Sequence, residues 1–199
     1  MSSPKGFTLI EVVVVIGIMA IISSLMLANF PRFSKQVAVE REASKLALSF
    51  RKTQSYALAV REFNPLFNDY PFCDDPTKLP VKFPGYGLFF KVSDPAHYYI
   101  YGDINCSKYY ENTLPEEAVE IINIEGNIKF FSIKGYDAAV CGSGCDLDEL
   151  SILYVRPGPT ILIKSNGIDY NFIEIYLRSS DGAVSKKVVI RSTGQVSIE

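Results

Sequence analysis

The feature that most constrains this chain is an apolar run of 24 residues, Phe7 to Phe30, whose only charged member is Glu11. Local propensity favours a strand at Val12–Ile16, four valines followed by an isoleucine. Length overrides it. From Val12 to Phe30 there are 19 residues without a charge, and a helix of that length spans about 28 Å, close to the hydrocarbon thickness of a bilayer. In hydrocarbon the backbone must satisfy its own hydrogen bonds, so a single span is a helix. A secretory signal has a shorter apolar region ending at a small-residue cleavage site, and Ser23-Ser24 is a poor one. A plain signal anchor accounts for the span and for Lys5 on a cytoplasmic side. It leaves Glu11 unexplained.

A carboxylate costs roughly 2.5–3.5 kcal/mol at the centre of a membrane helix, and less near its end. The apolar segment offers no cation to offset that cost. A cut between Gly6 and Phe7 would create an α-amino group four residues from Glu11, on the same chain or on a neighbour. Inside a dry bundle such a pair fixes register, because either charge left alone is strongly destabilising. The stretch Lys5-Gly6-Phe7-Thr8-Leu9-Ile10-Glu11 resembles the processing motif of type IV prepilins and type II secretion pseudopilins. The resemblance implies that a prepilin peptidase cuts after Gly6 and methylates the new amine of Phe7. It implies that Glu11, fifth residue of the mature chain, directs assembly with other pilin or pseudopilin subunits. Many members carry a proline where this chain has Ala28, and here Pro31 follows three residues later.

Beyond Pro31 the pattern becomes amphipathic. Val39, Ala43, Leu46, Phe50, Thr53, Ala57 and Val60 recur at spacings of four and three, a single helical face. Arg41, Glu42, Lys45, Ser49 and Lys52 occupy another face, and Asn64-Pro65 ends the helix. The remainder reads as strands around Tyr86–Val92, His97–Tyr101, Ile121–Ile124, Ile128–Ile133, Leu150–Val155, Thr160–Lys164, Phe172–Arg178, Val188–Ile190 and Val196–Ile198. Turn signals separate them, among them Gly126-Asn127 and Pro157-Gly158-Pro159. The expected fold is α+β: a long helix, membrane-spanning then amphipathic, packed on an antiparallel β head. The expected division is a leader at 1–6, an apolar assembly helix at 7–30, its amphipathic continuation at 31–64 and a β-rich head at 65–199. This order resembles the GspH/FimT-type branch of pseudopilins and minor pilins, which carries an R-x-x-Q-S/A stretch late in the helix. Here that stretch is Arg51-Lys52-Thr53-Gln54-Ser55, and the branch's C-terminal hairpin signature S-T-G is Ser192-Thr193-Gly194.

No constellation for catalysis can be assembled, so the chain is read as a structural subunit, not an enzyme, with no cofactor. His97 is the only histidine, which excludes a multi-histidine metal site. Cys141-Gly-Ser-Gly-Cys145 has glycines, but not in a phosphate-cradling pattern. Cys73, Cys106, Cys141 and Cys145 all follow the apolar run and suit disulfides in an oxidising compartment; zinc is disfavoured because paired C-x-x-C knuckles are missing. Four cysteines allow three pairings; one joins Cys141 to Cys145 across a short glycine-rich loop and leaves Cys73 for Cys106. Asp103, Asn105, Ser107 and Glu111 are spaced like a calcium loop, yet Lys108 replaces its glycine and Leu114 its bidentate acid. They form a weak calcium candidate beside the simpler reading of a solvated turn.

A net charge of −2 lacks the footprint of a nucleic-acid coat protein. The basic positions Lys164, Arg178, Lys186, Lys187 and Arg191 are few and diluted by acids, so no nucleic acid partner is expected. The expected partners are prepilin peptidase, other pilin-like subunits and the inner membrane, with the amino terminus cytoplasmic and the head on the far side. Two alternatives remain: a filament-tip module that captures DNA or a surface ligand, and a simple membrane-anchored β domain.

Overall fold

The computed structural model describes residues 6–63, 73, 81–111, 117–137, 139–155 and 161–199. Met1–Lys5, Asn64-Pro65, Leu114 and Pro157–Pro159 lie outside the described residues. The chain opens with one helix, α1 (Leu9–Leu58), of 50 residues, about 75 Å long. It continues through Pro31. Its buried face is the amphipathic stripe: Val39, Ala43, Leu46, Phe50, Thr53 and Ala57 are each at most 2% exposed.

The stripe ends earlier than the sequence suggests. α1 stops at Leu58, and Val60 lies beyond it, 41% exposed. The Arg61 N–H donates to the Tyr56 carbonyl and the Val60 N–H to that of Ala57. This is a Schellman cap, whose left-handed position usually holds glycine; here Val60 takes it at φ 51°. Arg61 then lays its guanidinium 4.0 Å from the centre of the Tyr56 ring. Two residues assigned to the polar face are in fact buried. Glu42 lies between Arg41 and Lys45, and the Ser49 hydroxyl shares a 2.8 Å hydrogen bond with the Tyr98 hydroxyl.

Eleven strands follow among the described residues: β1 (Gly85–Lys91), β2 (His97–Asp103), β3 (Ala118–Asn123), β4 (Ile128–Asp137), β5 (Cys141–Asp146), β6 (Glu149–Tyr154), β7 (Ile161–Ser165), β8 (Ile168–Asp169), β9 (Phe172–Ser179), β10 (Ser185–Arg191) and β11 (Val196–Ile198). They form two antiparallel sheets. The first has the order β3-β2-β1-β6-β7-β8 and the second β11-β10-β9-β4-β5. Between β3 and β4 the chain changes sheets through Gly126 and Asn127, both at positive φ, so these two strands do not pair as a hairpin. β5 was expected as a loop, since Cys-Gly-Ser-Gly-Cys has poor strand propensity. Pairing with β4 across a register shift at Gly135–Asp137 holds it.

The stripe of α1 packs on β1 and β6 of the first sheet and on β4, β9, β10 and β11 of the second. One apolar core results, with Phe50 stacked on Phe90, and Phe90 packed between Tyr98 and Phe130. β1 is buried on both faces. Phe89, which breaks its alternation, belongs with Tyr101 and Leu153 to a smaller core on the opposite face, beneath Tyr99, Tyr110 and Leu162. The architecture is α+β, an apolar amino-terminal helix continuing into a helix packed on antiparallel sheets.

Candidate functional site

The amino-terminal half of α1 leaves the head entirely. Leu9–Leu27 has a mean hydropathy of 2.6 and none of it is buried within the chain. Phe7 is 89% exposed. An apolar surface of this size has no partner in its own fold, so its cover must come from outside: lipid, or other helices.

Its first turn is built from Thr8. The Thr8 hydroxyl accepts from the Glu11 N–H at 3.4 Å, while the Thr8 N–H and hydroxyl both donate to Glu11 Oε2 at 2.8 Å. This is a capping box, in which the acid three residues into the helix satisfies the backbone donor of the cap. The box gives Glu11 two hydrogen-bond donors on its own chain without supplying a cation. Thr8-x-x-Glu11 spells the box in the sequence itself. The box needs only the Thr8 amide and hydroxyl, both of which a cut between Gly6 and Phe7 would leave in place. Both capping bonds go to Oε2, and the charge is not neutralised by any ion pair among the described residues. Gly6 faces open space, where an added Cβ would meet nothing within 4 Å. The fold does not require glycine there.

These features sit in one stretch of sequence that can be compared with known proteins. Residues 1–27 match the prokaryotic N-terminal methylation motif. The methylation motif implies processing by a prepilin peptidase and assembly with other pilins, and supports a subunit of pilin or pseudopilin type. No curated protein and no solved structure matched the chain.

The other candidates lie in the head, away from the methylation motif. Cys73 is bonded to Cys106 and Cys141 to Cys145. The first tethers the loop after α1 to the loop after β2, and the second lies within β5. Asp103 and Asn105 use their oxygens on their own turn: Asp103 accepts from the Lys108 N–H and Asn105 Oδ1 from that of Ser107. Glu111 enters this network through its backbone, donating its N–H to Glu117 Oε2 at 3.0 Å. Among the described residues no group of three or more His, Cys, Asp or Glu side chains is placed to hold a metal ion.

Glu117 was not anticipated. It is fully buried, and its Oε1 has no hydrogen-bond partner among the described residues. Burial pushes its carboxyl up to about 7 and that of Asp103 up to about 6. Nothing in the spacing of Glu117 marks it, because burial depends on what packs against a residue from elsewhere in the chain. His97 is held in the β1–β2 turn, its Nδ1 2.8 Å from Asp94 Oδ1, while the Tyr99 hydroxyl donates to Asp94 Oδ2. Of the five basic positions near the carboxyl end, Lys164, Lys186 and Lys187 are ion-paired with Asp169, Glu40 and Glu174. Arg178 and Arg191 instead lie over the rings of Phe131 and Phe172.

Proposed function

We propose that this chain is a structural subunit, a minor pilin or pseudopilin, of a type IV pilus or type II secretion-like filament. Prepilin peptidase cuts it between Gly6 and Phe7 and methylates the Phe7 amine. Before assembly it sits in the inner membrane through Leu9–Leu27, with its amino terminus cytoplasmic and its head on the opposite side. On assembly the exposed half of α1 moves from lipid into a bundle of like helices, where Glu11 meets the amine of Phe7 on its own or a neighbouring subunit. The division into leader 1–6, assembly helix 7–30 and head is part of this reading.

The observation that carries it is an apolar half-helix free of the head, bearing Gly6, Phe7 and Glu11 inside a matched methylation motif. Gly17, on the same segment, also faces open space, as suits close approach of helices in a membrane or bundle. We place the chain in the GspH/FimT-type branch. In support, Arg51–Ser55 lies on the last turns of α1, and Ser192-Thr193-Gly194 turns β10 into β11 with Gly194 at φ 85°.

The test is co-expression with a prepilin peptidase and intact-mass measurement. The expected product lacks residues 1–6 and carries one added methyl group. Gly6→Leu should block the cut while leaving the head folded, since that position touches nothing. An uncut chain, or a cut near Ser23-Ser24, would overturn the reading.

A further inference from the structure

The second sheet ends, on the side nearest the apolar half of α1, in an open groove of about 350 Å³. Lys129 and Arg178 line it, and they face each other directly across the β4–β9 pairing. Like charges in that register repel. Neither makes an ion pair among the described residues, and both are exposed. The acid beside them, Asp181, is already engaged: Lys35 of α1 and the Ser179 hydroxyl donate to its carboxylate. The Arg178 guanidinium is also shaped for its position. It lies 5.4 Å from the centre of the Phe131 ring, and a Cβ on Gly182 would stand 2.2 Å from its Nη2. Gly182 packs beside this side chain, and its φ of +73° suits the turn. The site thus presents two exposed cations with no ion pair among the described residues, one a planar fork suited to phosphate.

The place of the groove suggests its occupant. Lys35, which holds Asp181, lies eight residues beyond Leu27, the end of the apolar span. That is about 12 Å along the helix, while the headgroup zone reaches roughly 5–8 Å past the hydrocarbon on each side. A Lys or Arg side chain bridges the difference. Arg32, exposed and one turn below Lys35 on the same helix face, adds a third cation at headgroup depth. We propose that the Lys129–Arg178 groove binds the phosphate of an anionic phospholipid headgroup, seating the head against the bilayer while the subunit awaits assembly. The inference rests on the reading of Leu9–Leu27 as a membrane span. Withdrawal into a filament would break this contact, so the groove stabilises the membrane-stored state.

The test uses the full-length chain in nanodiscs holding equal parts of phosphatidylglycerol and phosphatidylcholine. Native mass spectrometry then reads which lipid stays bound on release. Phosphatidylglycerol should be enriched about 25-fold in the wild type, and Lys129→Ala with Arg178→Ala should bring the ratio near unity, each cation contributing about fivefold. Arg178→Lys keeps the charge and should retain part of the preference; circular-dichroism melting checks that each variant is folded. A chain that inserts but shows no lipid preference, or one unchanged in the double variant, overturns this inference alone. Failure to enter nanodiscs of either lipid overturns the membrane reading as well. Loss of lipid to millimolar inorganic phosphate would assign the groove to free phosphate, and displacement by a DNA duplex would assign it to nucleic acid; either also overturns the proposal.

Discussion

The two halves of α1 are one continuous helix in two different physical situations. Between Val39 and Ala57 the residues Val39, Ala43, Leu46, Phe50 and Ala57 form a narrow stripe buried to within 2% by two sheets. From Leu9 to Leu27 apolar residues cover the whole circumference, and nothing among the described residues buries them. The first half is explained by the protein's own core. The second is explained only by surroundings the chain does not supply, and the capped carboxylate near its end is a charge that those surroundings disfavour. Substitutions in the lower half should therefore spare the fold and damage assembly, while those in the upper half should do the reverse.

The largest effect is expected at Glu11. Glu11→Val should leave head stability and membrane insertion intact but nearly abolish recovery in sheared filaments, because a stranded partner charge in a bundle costs about 3–5 kcal/mol. Glu11→Gln sharpens the test. Glutamine keeps an oxygen for the Thr8 amide but carries no charge, so it should restore the cap without restoring assembly. Normal assembly of the glutamine variant would reduce Glu11 to a capping residue.

In the buried half, Phe50→Ala should destabilise the head by about 3–5 kcal/mol in urea unfolding. Leu25→Ala, at a site 61% exposed, should change nothing in the same assay. Equal losses at both sites would break the contrast between the halves.

Within the head, the two disulfides should differ by the loop each closes. Cys73 and Cys106 are 33 residues apart, Cys141 and Cys145 only four. Replacing the first pair by serine should cost about 4 kcal/mol and the second about 2 kcal/mol. Unfolding midpoints measured without reductant decide between them.

A pH effect of about 2–3 kcal/mol is expected from two buried carboxyls, one ending β2 and one just before β3. Asp103 and Glu117 have folded carboxyls raised to about 6 and about 7, with burial the main cause in each. Each also feels the Glu111 charge, and the backbone N–H of Lys108 partly counters the shift of Asp103. Groups raised in this way bind more protons in the folded chain than in the unfolded one. Their stabilisation is present in full below about pH 4 and is lost as the pH rises through 6 to 7. Glu117→Gln should flatten this part of the profile. The smallest effect is at the helix end: Val60→Gly should stabilise by about 1 kcal/mol, relieving a β-branched residue from the left-handed region.

What the sequence by itself determined lies in segments whose meaning is local. A long apolar run must be a helix because its backbone has no other donors or acceptors in lipid. The stripe from Val39 to Ala57 shows its buried face through its period, and alternation in Leu88, Phe90, Ile173, Ile175 and Leu177 shows the inner faces of strands. Thr8-x-x-Glu11 was equally local. Tertiary structure alone decided the rest. The division of β3 and β4 between two sheets depends on non-local pairing, which leaves no trace in either strand. Glycine-rich β5 is held by its neighbour β4 against its own propensity. Phe89 breaks the alternation of β1 because a distant loop, carrying Tyr110, covers the other face. The burial of Glu117 is likewise decided outside its own segment, and antiparallel register alone sets Lys129 opposite Arg178. Burial and charge pairing are properties of what arrives from elsewhere in the chain, and spacing along one segment does not encode them.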